Sequence, residues 1–296
     1  MWSARAASAL SNNNSQTGKD THAGRDIHAG TGLNELGDMG KTASQNVSRC
    51  AIVTWLVAML MTSGTLAAEG DAKPAPLPHE FYFSRVIYGG GDDGDFGPRW
   101  AVDYPKADQQ FLVALKRLSG VDAYDGEHAL NLDIERLHEF PFLYVLEVGS
   151  LTMSDPERDA LRHYLESGGF LVVDDFWGSW EWENFEAEMK LLLPDRKLEE
   201  VPLDHPIFRA FYDISELVQV PNVYQGTTGG PTHEYDGFEP KAMGIFDDDG
   251  RLMVFVNWNT DLGDGWEWAD HPQYPLKFST YAYEMGINFI IYGMSN

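Results

Sequence analysis

The sequence predicts an α/β domain built on a mostly parallel sheet. Three observations predict it: two apolar runs of strand length, Phe140–Gly149 and Phe170–Val173; a helix with clear start and stop signals between them; and a later pair of strands folded over an Asp-Asp-Gly turn. Nearly continuous apolar runs mark strands covered on both faces. A strand, a helix and a second strand joined by short links form a right-handed crossover, which makes the two strands parallel.

The elements follow in order. "EFYFSRVIY", Glu80–Tyr88, alternates aromatic or aliphatic with polar residues and reads as the first strand. A long loop rich in glycine and acid follows, "GGGDDGDFGPRWAVDYP", carrying Asp92, Asp93, Asp95, Arg99, Trp100 and Asp103. "KADQQFLVALKRLSG" places Phe111, Leu112, Leu115 and Leu118 on one helical face and stops at Gly120. In the central helix Ser154 is the N-cap, Glu157 completes a capping box, Pro156 suits the first turn and Gly168-Gly169 ends the helix. "FEAEMKLLLP" reads as a helix and "KAMGIFDDDGRLMVFVNWN" as a hairpin. Its acids Asp247–Asp249 are turn chemistry, because the other ligands of an EF-hand spacing are missing. "YAYEMGINFIIYGM" closes the chain as an apolar helix or strand, Gly286 and Gly293 leaving both open.

The 296 residues are 43% hydrophobic and 13% aromatic, enough for one sizeable core. The formal net charge of −25 lies almost wholly beyond residue 68. So negative a surface repels phosphate backbones and anionic headgroups, which excludes nucleic-acid and peripheral membrane binding. Residues 1–48 lack apolar periodicity, and "RCAIVTWLVAMLMTSGTLAAEGDAKPAP" then shows the basic, apolar and small-residue succession of a secretory signal. The expected organisation is 1–38 disordered and not translated, 39–68 signal peptide, 69–79 linker and 80–296 the α/β domain. The mature chain is expected in the periplasm or secreted, or, with the signal uncleaved, anchored in the inner membrane by residues 50–66. The only cysteine, Cys50, sits inside the signal, so the mature chain carries no thiol.

"FPFLYVLEVG", "LRHYLESGGFLVVDDFWG", "DHPIF", "NTDLGDGWEWADHPQYP" and "YEMGINFIIYGM" resemble, in that order, the domain of unknown function 4159 (DUF4159), from about Phe81 to the C-terminus. That family is similar in fold to the class I glutamine amidotransferase-like superfamily. The resemblance implies a flavodoxin-like three-layer sandwich in an exported or envelope-associated bacterial protein, and no established reaction. The superfamily's enzymes use a cysteine on a sharp strand-to-helix turn. Here that nucleophile is missing and "EVGSLTMS" is not a Gly-x-Ser-x-Gly elbow, so amidotransferase chemistry is rejected.

Candidate residues gather where such sheets bind ligands, beyond the carboxyl ends of the strands. Asp174-Asp175 ends a strand, and adjacent residues there point oppositely unless the strand has already broken. In "DHPIF", His205 beside Asp204 suggests a base with an acid, although sequence neighbours rarely have that geometry. The loop from Asn259 to Pro275 offers Asp261, Asp264 and Glu267 as hard oxygen ligands, with Trp266 and Trp268 as flat apolar faces. Oxygen-rich loops suit Ca²⁺ or Mg²⁺ better than zinc, with Asp174, Asp261 and Asp264 the metal candidates. Arg85 and Arg99 are rare cations that pair with buried acids or hold a substrate carboxylate.

The ligand cleft is therefore expected from Tyr88, Arg99, Trp100, Asp103, Asp174, Asp175, Asn259, Asp261, Asp264, Trp266, Glu267 and Trp268. The leading expectation is a non-catalytic module binding a small polar ligand or an envelope protein partner. The alternative is a metal-assisted or two-carboxylate hydrolase of carbohydrate or another envelope substrate, with Asp174, His205, Asp261 and Glu267 as its catalytic candidates. Translation is expected to begin at Met39. Mass spectrometry of the protein from its native cells should then find no peptide from residues 1–38, and one such peptide would refute this start.

Overall fold

The central strands have no polar face, and this puts them in the middle of the structure. The computed structural model describes residues 77–90 and 97–295, all within the compact unit Lys73–Asn296. The signal, start-site and anchor expectations, and Asp92, Asp93 and Asp95, lie outside the described residues.

Seven strands, β1 (Ser84–Ile87), β2 (Ala129–Asn131), β3 (Phe142–Leu146), β4 (Phe170–Asp174), β5 (Glu199–Glu200), β6 (Lys241–Phe246) and β7 (Leu252–Trp258), form one sheet in the order β2-β1-β3-β4-β7-β6-β5. The pairings from β2 through β7 are parallel, and β7–β6 and β6–β5 are antiparallel. Side chains alternate between two cores: Phe142, Tyr144, Phe170 and Val172 enter one, and Leu143, Val145, Leu171 and Val173 the other. Helices α1 (Lys106–Ser119), α5 (Leu262–Glu267) and α6 (Leu276–Ser295) pack in the first core, and α2 (Asp155–Glu166) and α3 (Gly178–Leu192) in the second. A short α4 (Val223–Thr228) precedes β6.

Local signals act as chemistry dictates. Ser154 Oγ accepts from the Glu157 N–H while Glu157 Oε2 accepts from the Ser154 N–H at 2.7 Å, closing the capping box of α2. Gly120 caps α1 at φ 78°. Asp247 Oδ1 accepts from the N–H groups of Asp249 and Arg251, so this acid shapes the β6–β7 turn. The closing segment is a helix of 20 residues, with Gly286 where α6 meets α1 and α5. A Cβ there would lie 2.6 Å from Phe111 Cε2 and 2.9 Å from Trp266 Cζ2, so only glycine permits the approach. No helix of the described residues is long and apolar enough to cross a membrane.

Two expectations shift. α3 begins at Gly178, seven residues before "FEAEMKLLLP", because the chain turns into it directly from the end of β4. On α1 the buried stripe is Ala107, Asp108, Phe111, Leu112 and Leu115, which leaves Leu118 52% exposed. Arg85 accounts for the inward Asp108. The guanidinium is fully buried in β1, donates to Asp108 Oδ1 at 2.5 Å and Oδ2 at 3.2 Å, and donates again to the carbonyls of Trp100 and Val102 at 3.3 and 2.8 Å. Burial alone would push Arg85 down and Asp108 up; their mutual attraction opposes both and leaves Arg85 firmly cationic.

Breaking a buried, hydrogen-bonded pair from one side strands the other charge. Arg85→Met is expected to cost about 3–5 kcal/mol in urea unfolding, and Arg85→Met/Asp108→Leu to recover most of that loss.

Candidate functional site

Strands β3, β4 and β7 run parallel, so their carboxyl ends open on one side, and the chain leaves each through a residue bent out of strand conformation. Glu147, Asp175 and Asn259 have φ of 54°, 44° and 62°, and Asp103, just ahead of α1, has 61°. Among the described residues the only other non-glycine with positive φ is Tyr235. Such conformations are costly without glycine and persist where the surroundings impose them.

The two adjacent aspartates divide their roles at this break. Asp174, the last residue of β4, is fully buried. Its Oδ2 accepts from the Tyr144 hydroxyl at 2.7 Å and the Leu262 N–H at 3.0 Å, and its Oδ1 from Asn257 Nδ2 at 2.6 Å. Burial pushes its acid up to about 6, and those hydrogen bonds oppose the rise. Asp175 has left the strand, and its carbonyl accepts from the Glu147 N–H while its Oδ1 accepts from Trp177 Nε1 at 2.9 Å. With the strand broken, Asp175 joins other acids and Asp174 stays in the core as their support.

Those acids form two overlapping trios. Carboxylate oxygens of Asp103, Asp175 and Asp261 lie within 4.8 Å of one another, and so do those of Asp103, Asp264 and Glu267. Asp175, Asp261 and Asp264 are only 7%, 4% and 6% exposed. Asp261 Oδ1 caps α5 by accepting from the Asp264 N–H at 2.7 Å, and Asp264 Oδ2 accepts from the Val223 N–H at 2.5 Å. Asp103, common to both trios, has an Oδ2 sealed from solvent that accepts no hydrogen bond. It rests over Gly263, where a Cβ would collide with that oxygen.

Burial first, and then neighbouring carboxylates, hold Asp103, Asp175 and Asp261 well above the ordinary aspartate range. Burial also raises Asp264 and Glu267, the latter with help from Asp264. The nearby cations are engaged elsewhere: Arg85 holds Asp108, and Lys106 lies 3.5 Å from Asp270 and over the Trp268 ring at 4.3 Å. The arrangement is a largely buried, oxygen-only donor set with little positive charge of its own.

The remaining expected residues surround or leave this centre. The Tyr88 hydroxyl donates to the carbonyls of Leu146 and Glu147, and Arg99, half exposed, pairs with Glu147 at 3.1 Å. Glu147 is pushed up to about 7 by burial and by Glu181 and Glu234, with Arg99 opposing. Trp100 packs on the second core and stacks at a tilt on Tyr104. Asn259 staples loops, its Oδ1 accepting from the Gly178 N–H and its Nδ2 donating to the Glu239 carbonyl, both at 2.8 Å. Trp268 stays half-buried beside Asp264 and Glu267.

Two expected residues are not brought to the cluster. Trp266 is 1% exposed and fills the first core against Phe111 and Tyr144, because the turn of α5 points it inward. His205 sits at the opposite end of the sheet, against Phe246 and against Tyr292, whose hydroxyl meets the first residue of β7. Its Nδ1 accepts from the Ile207 N–H at 3.3 Å, a turn contact that explains its place beside Pro206. Sequence reasoning passed over Glu147, which lies in an apolar run and reaches this side of the sheet only because β3 ends beside β4.

Among curated proteins none matches the chain. The family model of the domain of unknown function DUF4159 matches residues 82–294, and the chain belongs to that family.

Proposed function

We propose that this member of the DUF4159 family is an exported ligand-binding module of the cell envelope whose strand-end cleft binds a divalent, oxygen-preferring cation, Ca²⁺ or Mg²⁺. One observation carries the reading: the Asp103 carboxylate is wedged among four other acids, with an Oδ2 that neither water nor a protein donor reaches. A buried carboxylate without a partner is expensive, and a bound dication supplies the missing partner. The donors are all carboxylates, which suit hard cations better than zinc.

The finer fold assignment, a flavodoxin-like sandwich of the class I glutamine amidotransferase-like superfamily, belongs to the same proposal. It is supported by the mostly parallel sheet and by a cluster at the carboxyl ends of its strands. The superfamily's glutaminase chemistry is not part of it, since the chain's one cysteine, Cys50, precedes the matched residues. Asp103, Asp175, Asp261, Asp264 and Glu267 would hold the cation, and Asp174 would position Asp175 and Asp261 through Leu262 and β7. A bound dication supplies a Lewis-acidic point to which a polar ligand's oxygens can attach. Arg99, Glu147 and the half-buried Trp268 would contact the rest of that ligand. Export is supported by the signal-like segment and the absence of thiols beyond it.

Thermal unfolding of the EDTA-treated full chain tests the cation. Adding Ca²⁺, Mg²⁺ or Mn²⁺ should raise the midpoint saturably, by the equivalent of about 2.7 kcal/mol at one hundred times Kd. Asp103→Asn should abolish the rise, and Asp270→Asn, on the surface nearby, should retain it. An unchanged midpoint with every ion would remove the proposal.

A further inference from the structure

We propose that the cleft takes two divalent cations, one held by Asp175 and Asp261 and the other by Asp264 and Glu267, with the Asp103 carboxylate bridging them. This rests on the cation reading above and deepens it.

Asp103 is the common member of both acidic trios, and the trios share no other residue. A single cation can collect one trio; collecting both from one point would leave Asp103 facing one set with its second oxygen idle. The partitioning of the other carboxylates agrees. Asp175 Oδ1 accepts from Trp177, and Asp261 Oδ1 from the Asp264 N–H, so each carboxylate keeps coordinating capacity for the first position. Asp264 Oδ2 likewise accepts from the Val223 N–H and faces Glu267 and Asp103 in the second trio. Asp103 makes no such commitment, and its buried Oδ2 is without a donor. That orphaned oxygen is an observation independent of the clustering, and it points to a ligand that the protein's own donors do not replace.

Distance and charge support the count. Oxygens bound to one Mg²⁺ or Ca²⁺ lie at about 2.0–2.6 Å from it, so they are at most about 4–5 Å from each other, which accommodates each trio separately. Five ionised carboxylates around one dication would leave three negative charges in a largely buried site; around two they leave one. Carboxylate-bridged pairs of ions about 3.5–4 Å apart are an established arrangement in two-metal centres.

The test is a titration of the EDTA-stripped full chain with Mn²⁺, a hard cation that is paramagnetic, followed by calorimetry and electron paramagnetic resonance. Two ions per chain with a spin-coupled spectrum are expected. Glu267→Gln, at a part-exposed position, should reduce the count to one and erase the coupling; Asp175→Asn should do the same from the other side. Circular dichroism establishes that each variant is folded, and should one variant fail to fold, the other decides. One ion at saturation in the unaltered chain would overturn the pair while leaving the cation reading intact. Two ions without spin coupling would overturn the bridge. No bound ion would overturn this inference and the cation reading together.

Discussion

A single carboxylate, that of Asp174, joins the parts on which the candidate site stands. From the last position of β4 it accepts hydrogen bonds from Tyr144 on β3, Asn257 on β7 and the backbone of Leu262 at the start of α5. Three adjacent strands and a helix are thereby registered at the level where the chain turns out of the sheet. Asp175 follows Asp174 directly, and Asp261 precedes Leu262, so the two acids are brought together because their neighbours share one buried anion. An aspartate bonded to three donors in this way holds geometry, and its cost of burial is offset in part by bonds to its charged form.

A second buried charge performs the corresponding task for Asp103. Arg85 rises from β1 through the first core, pairs with Asp108 on α1, and donates to two carbonyls of the segment leading to Asp103. Asp103 is therefore delivered to the cluster by backbone restraint, with no hydrogen bond from its own side chain. One buried acid is fully bonded and supports; its neighbour is unbonded and presents oxygen. That contrast separates Asp174 as scaffold from Asp103 as candidate ligand, although both are aspartates.

Much of this was legible in the sequence, and the divide follows the range of the interactions. Local grammar read correctly: the Ser154–Glu157 box, the glycine stops and the Asp-Asp-Gly hairpin are set by atoms a few residues apart. Continuous apolar runs likewise announced the mostly parallel sheet. The convergence of Asp103 with Asp175 and Asp261 depends on strand order and on where each strand ends, which no short window contains. His205 shows the same limit from the other side: its sequence neighbour Asp204 suggested chemistry, yet the fold carries it to the far end of the sheet. Trp266 read as a ligand face because its segment is polar, but a six-residue helix turns it into the core. α6 was ambiguous because its glycines signify close packing, visible only once Phe111 and Trp266 are in place.

The outermost strands bear on how the protein meets other proteins. β5 at one edge is two residues long, both exposed glutamates, and β2 at the other edge has three. Short or charged borders give an incoming strand little backbone to pair with and repel a second acidic chain. Recognition by strand addition, which requires a long unpaired ladder, is thus poorly served at both borders. A partner would have to engage loops, helices or the strand-end cleft, and the sheet itself is guarded against extension into aggregates.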